Sequence, residues 1–471
     1  MAFDALLGSA AKLLRRPVVS VLLVGIAVRL AIFPFMEVGY DSDFWALIIR
    51  NMQSGEGLYG LEGYYYTPVW GYILGVVSLL GETFLNIGVM GERLVGALPA
   101  ESYTAWFLSG TVTTVPFNIW IKLSLLVSDI LVGYTVYRLV KDKTGDEKKA
   151  ALGFALWFLC PAVICVTSIS GMFDTFSVLF TLLSLMLVRK DRPFLGGSML
   201  ALAVLTKFFP AYLFFVLIAY IAMKHRDDRK AARGIACFCA GMTAMALVMV
   251  LPQILDGTVL ESLLFMTNRA SGGGGTLIGM LTGLGAVSIY GLLVPASAYL
   301  ALRMYRSRRD PDSSLFKYAL LIVALVFIYP PTPQYLMLLI PFLAYYSVVA
   351  DREFLRGWAV VSVGAAAFVL AGNFFHMLSF GAFLGPDQLA HIMELAAASQ
   401  QTLFLGQSAM GIAYTLAGAV QYLGVLSVLY IFLRNHALSR KGPGLDDPAI
   451  IVSKAVESKE PVPEECGSCR L

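Results

Sequence analysis

Apolar runs long enough to cross the membrane recur from Pro17 to Leu433, and nearly all charge lies in short stretches between them. A helix needs about 20 apolar residues to cross ~30 Å of hydrocarbon. The chain is 58% hydrophobic and 14% charged, whereas a soluble domain carries about 25% charged residues. In lipid every backbone N–H and C=O must be satisfied within the protein, which leaves helices or closed barrels. Runs of this length exclude the barrel, so the expected fold is all-α and polytopic. By length and flanks we count about twelve spans. They run Pro17–Met36, Phe117–Val140, Ala151–Ile169, Thr175–Val188, Phe194–Phe209, Ala211–Met223, Gly234–Ile254, Met280–Arg303, Phe316–Tyr329, Tyr335–Val349, Gly357–Met377 and Ala409–Leu433. The first run follows Lys12, Arg15 and Arg16 and exceeds a signal-peptide core, so it reads as a retained span.

The connecting segments alternate in charge. One set holds KLLRR, KDKTGDEKK, RKDR, KHRDDRKAAR, RMYRSRR, DREFLR and RNHALSRK; the other is poor in Lys and Arg. Positive loops stay in the cytoplasm, so the first set is cytoplasmic with both termini inside. This order makes Pro68–Leu85 a helix in the interface or dipping back, because counting it as a span would invert every later loop. It then belongs to one long external segment from Glu37 to Pro116, where Trp70, Tyr72 and the preceding tyrosines suit the interface. The body is expected over 1–440 and a disordered cytoplasmic tail over 441–471, which is polar and rich in proline. The net charge of +4 sets orientation and implies no nucleic-acid partner. Cys160, Cys165, Cys237 and Cys239 fall in apolar runs and read as small core residues. Cys466 and Cys469 form a lone CxxC without a second ligand pair, and read as tail thiols.

The candidate site residues gather in the second set of loops. Asp41 and Asp43 follow the first run, ahead of Tyr64, Tyr65, Tyr66, Thr67 and Pro68. At spacing i, i+2 they diverge on a helix, so one can cap while the other faces a cavity. They read either as a cap and a solvated acid opening a helix Asp43–Met52, or as a reactive pair. Lys207, in LTKFFPAY, either snorkels to the interface or holds an anionic lipid phosphate as a point charge. Charge inside a span costs about 2.5–3.5 kcal/mol on insertion scales. Asp129 is therefore expected to pair with Arg29 or Lys122, while Asp174 at a span mouth reads equally as a partner or a ligand. Asn268 and Arg269 precede four glycines, the pattern of a mobile gate or an ordinary loop. YPPTPQY puts Gln334 and Tyr335 at a span boundary, and His376 and His391 show no metal spacing.

Four stretches carry a resemblance: DSDFWALIIRNMQSGEGLYGLEGYYYTPVWGYIL, KLSLLVSDILVGYTVYRLV, the pair WFLCPAVICVTSISGMFDTFSVLFTLLSLMLVRK and LALAVLTKFFPAYLF, and TPQYLMLLIP. In that order, from Val28 to Ala344, the chain resembles the GT-C superfamily of membrane glycosyltransferases. Within it the chain is most like the catalytic subunit of GPI mannosyltransferase I and its prokaryotic relatives. Where that family carries Arg-Gly-Asn-x-[Asp/Glu]-Ser, this chain has Ser-Gly-Met-Phe-Asp-Thr and keeps only the acid, Asp174. The resemblance implies a GT-C-like fold with juxtamembrane helices in the first external loop. It also implies inverting transfer of a hexose from a polyprenyl or dolichyl phosphate to a lipid or glycan acceptor at the non-cytoplasmic face. It assigns Asp41 as general base and Asp43 as its partner. Lys207 and Arg269 would meet the donor phosphate, with Asp174, Tyr66, Gln334 and Tyr335 at the substrate. No cofactor is required on this reading, although Asp41 and Asp43 could hold a divalent metal. The membrane would be the plasma membrane in a prokaryote or the endoplasmic reticulum in a eukaryote. The competing class is a transporter or flippase of a lipid-linked or anionic substrate. It predicts inverted repeats and broken midplane helices, neither of which the sequence shows.

Overall fold

The structure, a computed structural model, describes residues 16–36, 39–59, 66–85, 115–225, 227–258, 277–307, 310–328, 332–372, 401–404 and 406–438, with scattered positions from 391 to 398. The tail from 439 onward, with Cys466 and Cys469, lies outside the described residues. The helices are α1 (Pro17–Ile32), α2 (Gly39–Gln53), α3 (Pro68–Leu85), α4 (Val115–Thr144), α5 (Glu147–Phe158), α6 (Pro161–Ile164) and α7 (Asp174–Arg189). They continue with α8 (Pro193–Val204), α9 (Phe214–Lys224), α10 (Asp228–Asp256), α11 (Leu277–Arg306), α12 (Pro311–Val326), α13 (Ile340–Val349), α14 (Phe354–Gly372) and α15 (Ala409–Leu438). A two-stranded antiparallel hairpin, β1 (Thr402–Phe404) with β2 (Gln407–Ser408), precedes α15.

The helical membrane body is as expected, but the span count is not recovered. Among the described residues, four helices are long and apolar enough to cross a membrane, or five when α5 is joined to Pro161–Ile169 across a 44° bend. Pro161 causes that bend, since it has no N–H to donate back into α5. The expected spans Phe194–Phe209 and Ala211–Met223 are shorter than read. Twelve-residue α8 ends at Val204, and a 3₁₀ turn, Phe209–Leu213, precedes α9. At 1.5 Å per residue α8 rises ~18 Å, well short of the hydrocarbon thickness. Leu205 and Phe208 continue the apolar run past Val204 on either side of Thr206 and Lys207, so composition did not show that helical geometry stops there.

Buried polar contacts bind the helices together. Arg29 of α1 meets Asp129 of α4 through Nε and Nη2, both at 3.1 Å, with both side chains fully buried. Its Nη1 donates to the Phe158 carbonyl at 2.8 Å and so caps the end of α5. Removing either charge strands the other in an apolar core. Asn118 donates to the Phe33 and Met36 carbonyls, at 2.9 and 3.2 Å, and Lys122 also donates to Met36. These bonds fix the exit of α1 just before Asp41. Cys160 and Cys165 are buried as expected, whereas Cys237 and Cys239 are only half-buried. They sit on α10, much of whose surface points away from the bundle, so an apolar run did not mean a core position.

Small residues let α8 and α10 touch backbone to backbone, a common device of membrane helices. A Cβ on Gly197 would overlap the Phe238 carbonyl, and one on Gly241 would overlap that of Phe194. Ser198 Oγ donates across the same contact to the Gly241 carbonyl at 3.1 Å. Gly197→Leu is therefore expected to separate the helices and lower stability by about 3 kcal/mol or more, in line with severe overpacking. Thermal unfolding of the purified protein in nanodiscs measures this; an unchanged midpoint would show that the helices do not meet here.

Several Lys/Arg-rich connections meet at one end of the bundle. Arg189 Nη2 and Tyr220 Oη hold the Asp312 carboxylate at 3.0 and 2.6 Å. Lys143 reaches Ser313 Oγ at 3.3 Å, and Lys224 pairs with Asp191 at 2.9 Å. These groups come from four Lys/Arg-rich connections and collect at the end of α7 marked by Arg189. The opposite end of α7, marked by Asp174, meets Lys207, with Tyr66 and Tyr335 around it.

Candidate functional site

Lys207 follows α8 by three residues. Its N–H reaches back to the Ala203 carbonyl at 2.9 Å, and buried Pro210 then opens the 3₁₀ turn. That turn aims the ammonium inward instead of along a lipid-facing helix. Lys207 Nζ lies 3.5 Å from Asp174 Oδ2, with side-chain exposures of only 10% and 4%. Three rings surround it, with centroids at 4.4 Å for Phe173, 4.9 Å for Tyr66 and 5.2 Å for Tyr335. All lie inside the ~6 Å range at which a ring face attracts a cation. The interfacial snorkelling role is thus not what the structure shows. The lysine is held inside the protein by a carboxylate and an aromatic box. At 3.5 Å the pair is a charge contact; Asp174 Oδ2 has no hydrogen-bond partner among the described residues.

Several segments dock to build this box. Val69 N–H donates to the Leu205 carbonyl at 3.4 Å, and Ser177 Oγ donates to the Ala203 carbonyl at 3.0 Å. Both α3 and α7 are therefore tied to the end of α8 beside Lys207. Asp174 opens α7 after Gly171, whose φ of +66° is costly for any residue with a Cβ. Preceding it, a π-helical turn runs Cys165–Ile169, a feature often found at functional sites. Gln334 and Tyr335 lie on the 3₁₀ turn Pro333–Leu338, both half-buried, with Tyr335 packed on Phe209 at 4.7 Å.

An aromatic layer links the box to α2. Trp70 stacks on Phe173 at 4.8 Å and 7°, and Trp45 meets Trp70 and Phe173 edge-on, both at 5.6 Å. Tyr66 meets Phe173 at 5.2 Å. This corrects the interfacial reading of Trp70, which is fully buried. A sequence cannot say which face of an amphipathic helix meets protein, and here that face carries Trp70 while Val76, Leu79 and Leu80 point outward.

Asp41 is buried in the first turn of α2, where a carboxylate suits the helix dipole. The helix begins at Gly39, four residues before the expected start, so Asp41 is within it and does not precede it. Trp45 lies one turn further on, on the same face as Asp41. The structure thus brings Asp174, Lys207, Tyr66 and Tyr335 together, with Gln334 beside Tyr335, and α2, which carries Asp41, packs on the same aromatic layer through Trp45. Asp43 is on α2, but its side chain lies outside the description, as do Tyr64, Tyr65, Asn268, Arg269, the glycine run, residues 329–331 and His376. His391 is exposed, 3.8 Å from Glu394. No three His, Cys, Asp or Glu gather as a metal site among the described residues.

Sequence reasoning missed Phe173, Trp45 and Trp70. A signal existed for two of them: Phe173 adjoins Asp174, and Trp45 is one helical turn from Asp41. Trp70 had none, because its partner is a hundred residues away.

An apolar helical body with a half-buried lysine and buried carboxylates near one end of a helix defines an integral-membrane protein with a polar site set into its bundle. Residues 103–331, which include Asp129, Asp174 and Lys207, match the pattern of Glycosyltransferase family 87. That similarity supports glycosyltransferase activity and, with the apolar helices, the GT-C membrane class implied by the sequence resemblance. Among solved structures, the chain is similar to the crystal structure of ArnT from Cupriavidus metallidurans in the apo state. The two share 16% identity, with a TM-score of 0.42, over 87% of this chain and 76% of that one. No curated protein matches.

Proposed function

We propose that the protein is a GT-C-type inverting glycosyltransferase that moves a hexose, mannose by resemblance, from a polyprenyl- or dolichyl-phosphate sugar to a lipid or glycan acceptor. The single observation carrying this reading is the Lys207 box. The leaving group of such a donor is a lipid phosphate, and a cation held among aromatic walls meets its developing charge where water cannot screen it. The rings can also pack on the apolar face of a sugar. Asp41 is the general base on the acceptor hydroxyl, attacking from the side opposite the phosphate, with Asp43 its partner. Arg269 adds a second cation to the phosphate, and Asp174, Tyr66, Gln334 and Tyr335 position the substrate. The site faces the non-cytoplasmic side, since the Arg189 end of α7 carries the Lys/Arg-rich loops. The proposed GT-C fold comprises about twelve membrane segments, some of them too short to span alone.

The test uses purified protein in nanodiscs with radiolabelled polyprenyl-phosphate mannose, glucose or galactose and a lipid-extract acceptor. Transfer from one of these donors is expected, with none from a nucleotide sugar. A monophosphate leaving group carries too little charge to require a metal, so EDTA is expected to leave the rate within about 2-fold. No transfer from any lipid-phosphate hexose, with transfer from a nucleotide sugar, would overturn the proposal.

A further inference from the structure

Asp129 does more than neutralise Arg29. Its Oδ2 accepts from Arg29 and meets Thr167 Oγ1 at 2.9 Å, a hydroxyl whose one proton is shared with the Val163 carbonyl at 2.8 Å, and its Oδ1 accepts from Thr175 Oγ1 at 2.8 Å. Thr167 is in the π-helical turn and Thr175 is in the first turn of α7. One fully buried carboxylate therefore holds both ends of the segment Thr167–Thr175. Inside that segment lie Gly171 with its left-handed φ, then Phe173 and Asp174. Phe173 is the nearest ring to the Lys207 ammonium, and Asp174 is its ion-pair partner. Further bonds tie the segment to the start of the π-turn: Ser170 N–H to the Cys165 carbonyl at 2.9 Å and Met172 N–H to the Val166 carbonyl at 3.0 Å. The Trp157 indole N–H donates to the Asp129 carbonyl at 2.9 Å, fixing the carboxylate's own backbone.

We infer that Asp129 is a positioning residue, a carboxylate staple that sets the geometry of Phe173 and Asp174 around Lys207 by clamping Thr167 and Thr175. Groups that act on a substrate must be held to within ~0.5 Å by a supporting shell of hydrogen bonds. A π-turn followed by a left-handed glycine does not hold that geometry alone. The staple closes the segment at both ends without touching the substrate, and Arg29 supplies the charge that keeps a carboxylate in an apolar core. This inference rests on the glycosyltransferase reading for its kinetic consequence, but not for its structural one.

Thr175→Val is the decisive variant. It removes one arm of the staple at nearly constant volume and leaves Arg29 and Thr167 on Asp129, so the protein should fold. Hydrogen exchange of peptides covering 166–175 is expected to quicken at least 10-fold, while peptides from α14 and α15 are unchanged. At metal sites, substitutions one shell out from the ligands cost about 10–100-fold; by analogy kcat for transfer is expected to fall by about 10-fold or more with KM for the donor unchanged. Thr175→Ser, which restores the hydroxyl, should return both readouts to within about 3-fold of the parent. Unaltered exchange in 166–175 would refute the staple whether or not the protein transfers sugar. Faster exchange with unaltered kcat would refute its positioning role. If the parent itself transfers no sugar, the proposed function fails while the exchange data still decide the staple.

Discussion

Asp41→Asn is expected to lower sugar transfer by about 10³-fold while the protein remains folded. General acid–base catalysis contributes about 10²–10⁴-fold, and an amide cannot take the acceptor's proton. The substitution keeps side-chain shape in the first turn of α2, where Asp41 is buried. It leaves Trp45, which packs the helix on Trp70 and Phe173, untouched. Initial rates in nanodiscs at saturating donor measure the effect, with the thermal midpoint reporting the fold. The loss should fall on kcat, because the base acts on the acceptor after the donor has bound. A residual rate within a few-fold of the parent would remove Asp41 from the mechanism. Unchanged transfer together with lost uptake of a lipid-linked substrate would favour the transporter class.

Lys207→Met is expected to have two separable effects. The first is on stability. The variant leaves Asp174, 4% exposed, with its partner gone. Removing one member of a buried pair costs about 3–5 kcal/mol; the 10% exposure of Lys207 places this one near the lower end. The second is on chemistry. Loss of one preorganised charge at the developing phosphate is expected to cost about 10²–10³-fold in transfer. The double variant Lys207→Met with Asp174→Asn, compared with Asp174→Asn alone, separates the two. It removes the stranded charge and should recover most of the thermal midpoint, yet remain inactive. If the double variant transfers sugar as the parent does, Lys207 serves only to neutralise Asp174, and the phosphate role is lost.

The body and the charge order of this protein were legible in its sequence. Run length and the cost of charge in hydrocarbon are local properties, so they showed the helical membrane class and that Asp129 needs a cation; that the cation is Arg29 and not Lys122 was decided by the packing. The same rule singled out Lys207 and Asp174, since a charge beside an apolar run needs a reason. What only the tertiary structure decided is which of these groups meet. Tyr66, Phe173, Lys207 and Tyr335 come from four separate segments and share one ammonium. Trp70 could have faced lipid or protein, and α3 alone offers both. The break between Ile169 and Thr175 was legible, but only the folding of that segment onto Asp129 shows how it turns. Helical runs and buried charge depend on energies that each residue carries with it. Contacts depend on which helix face a neighbour covers, and that is settled only when the whole bundle packs.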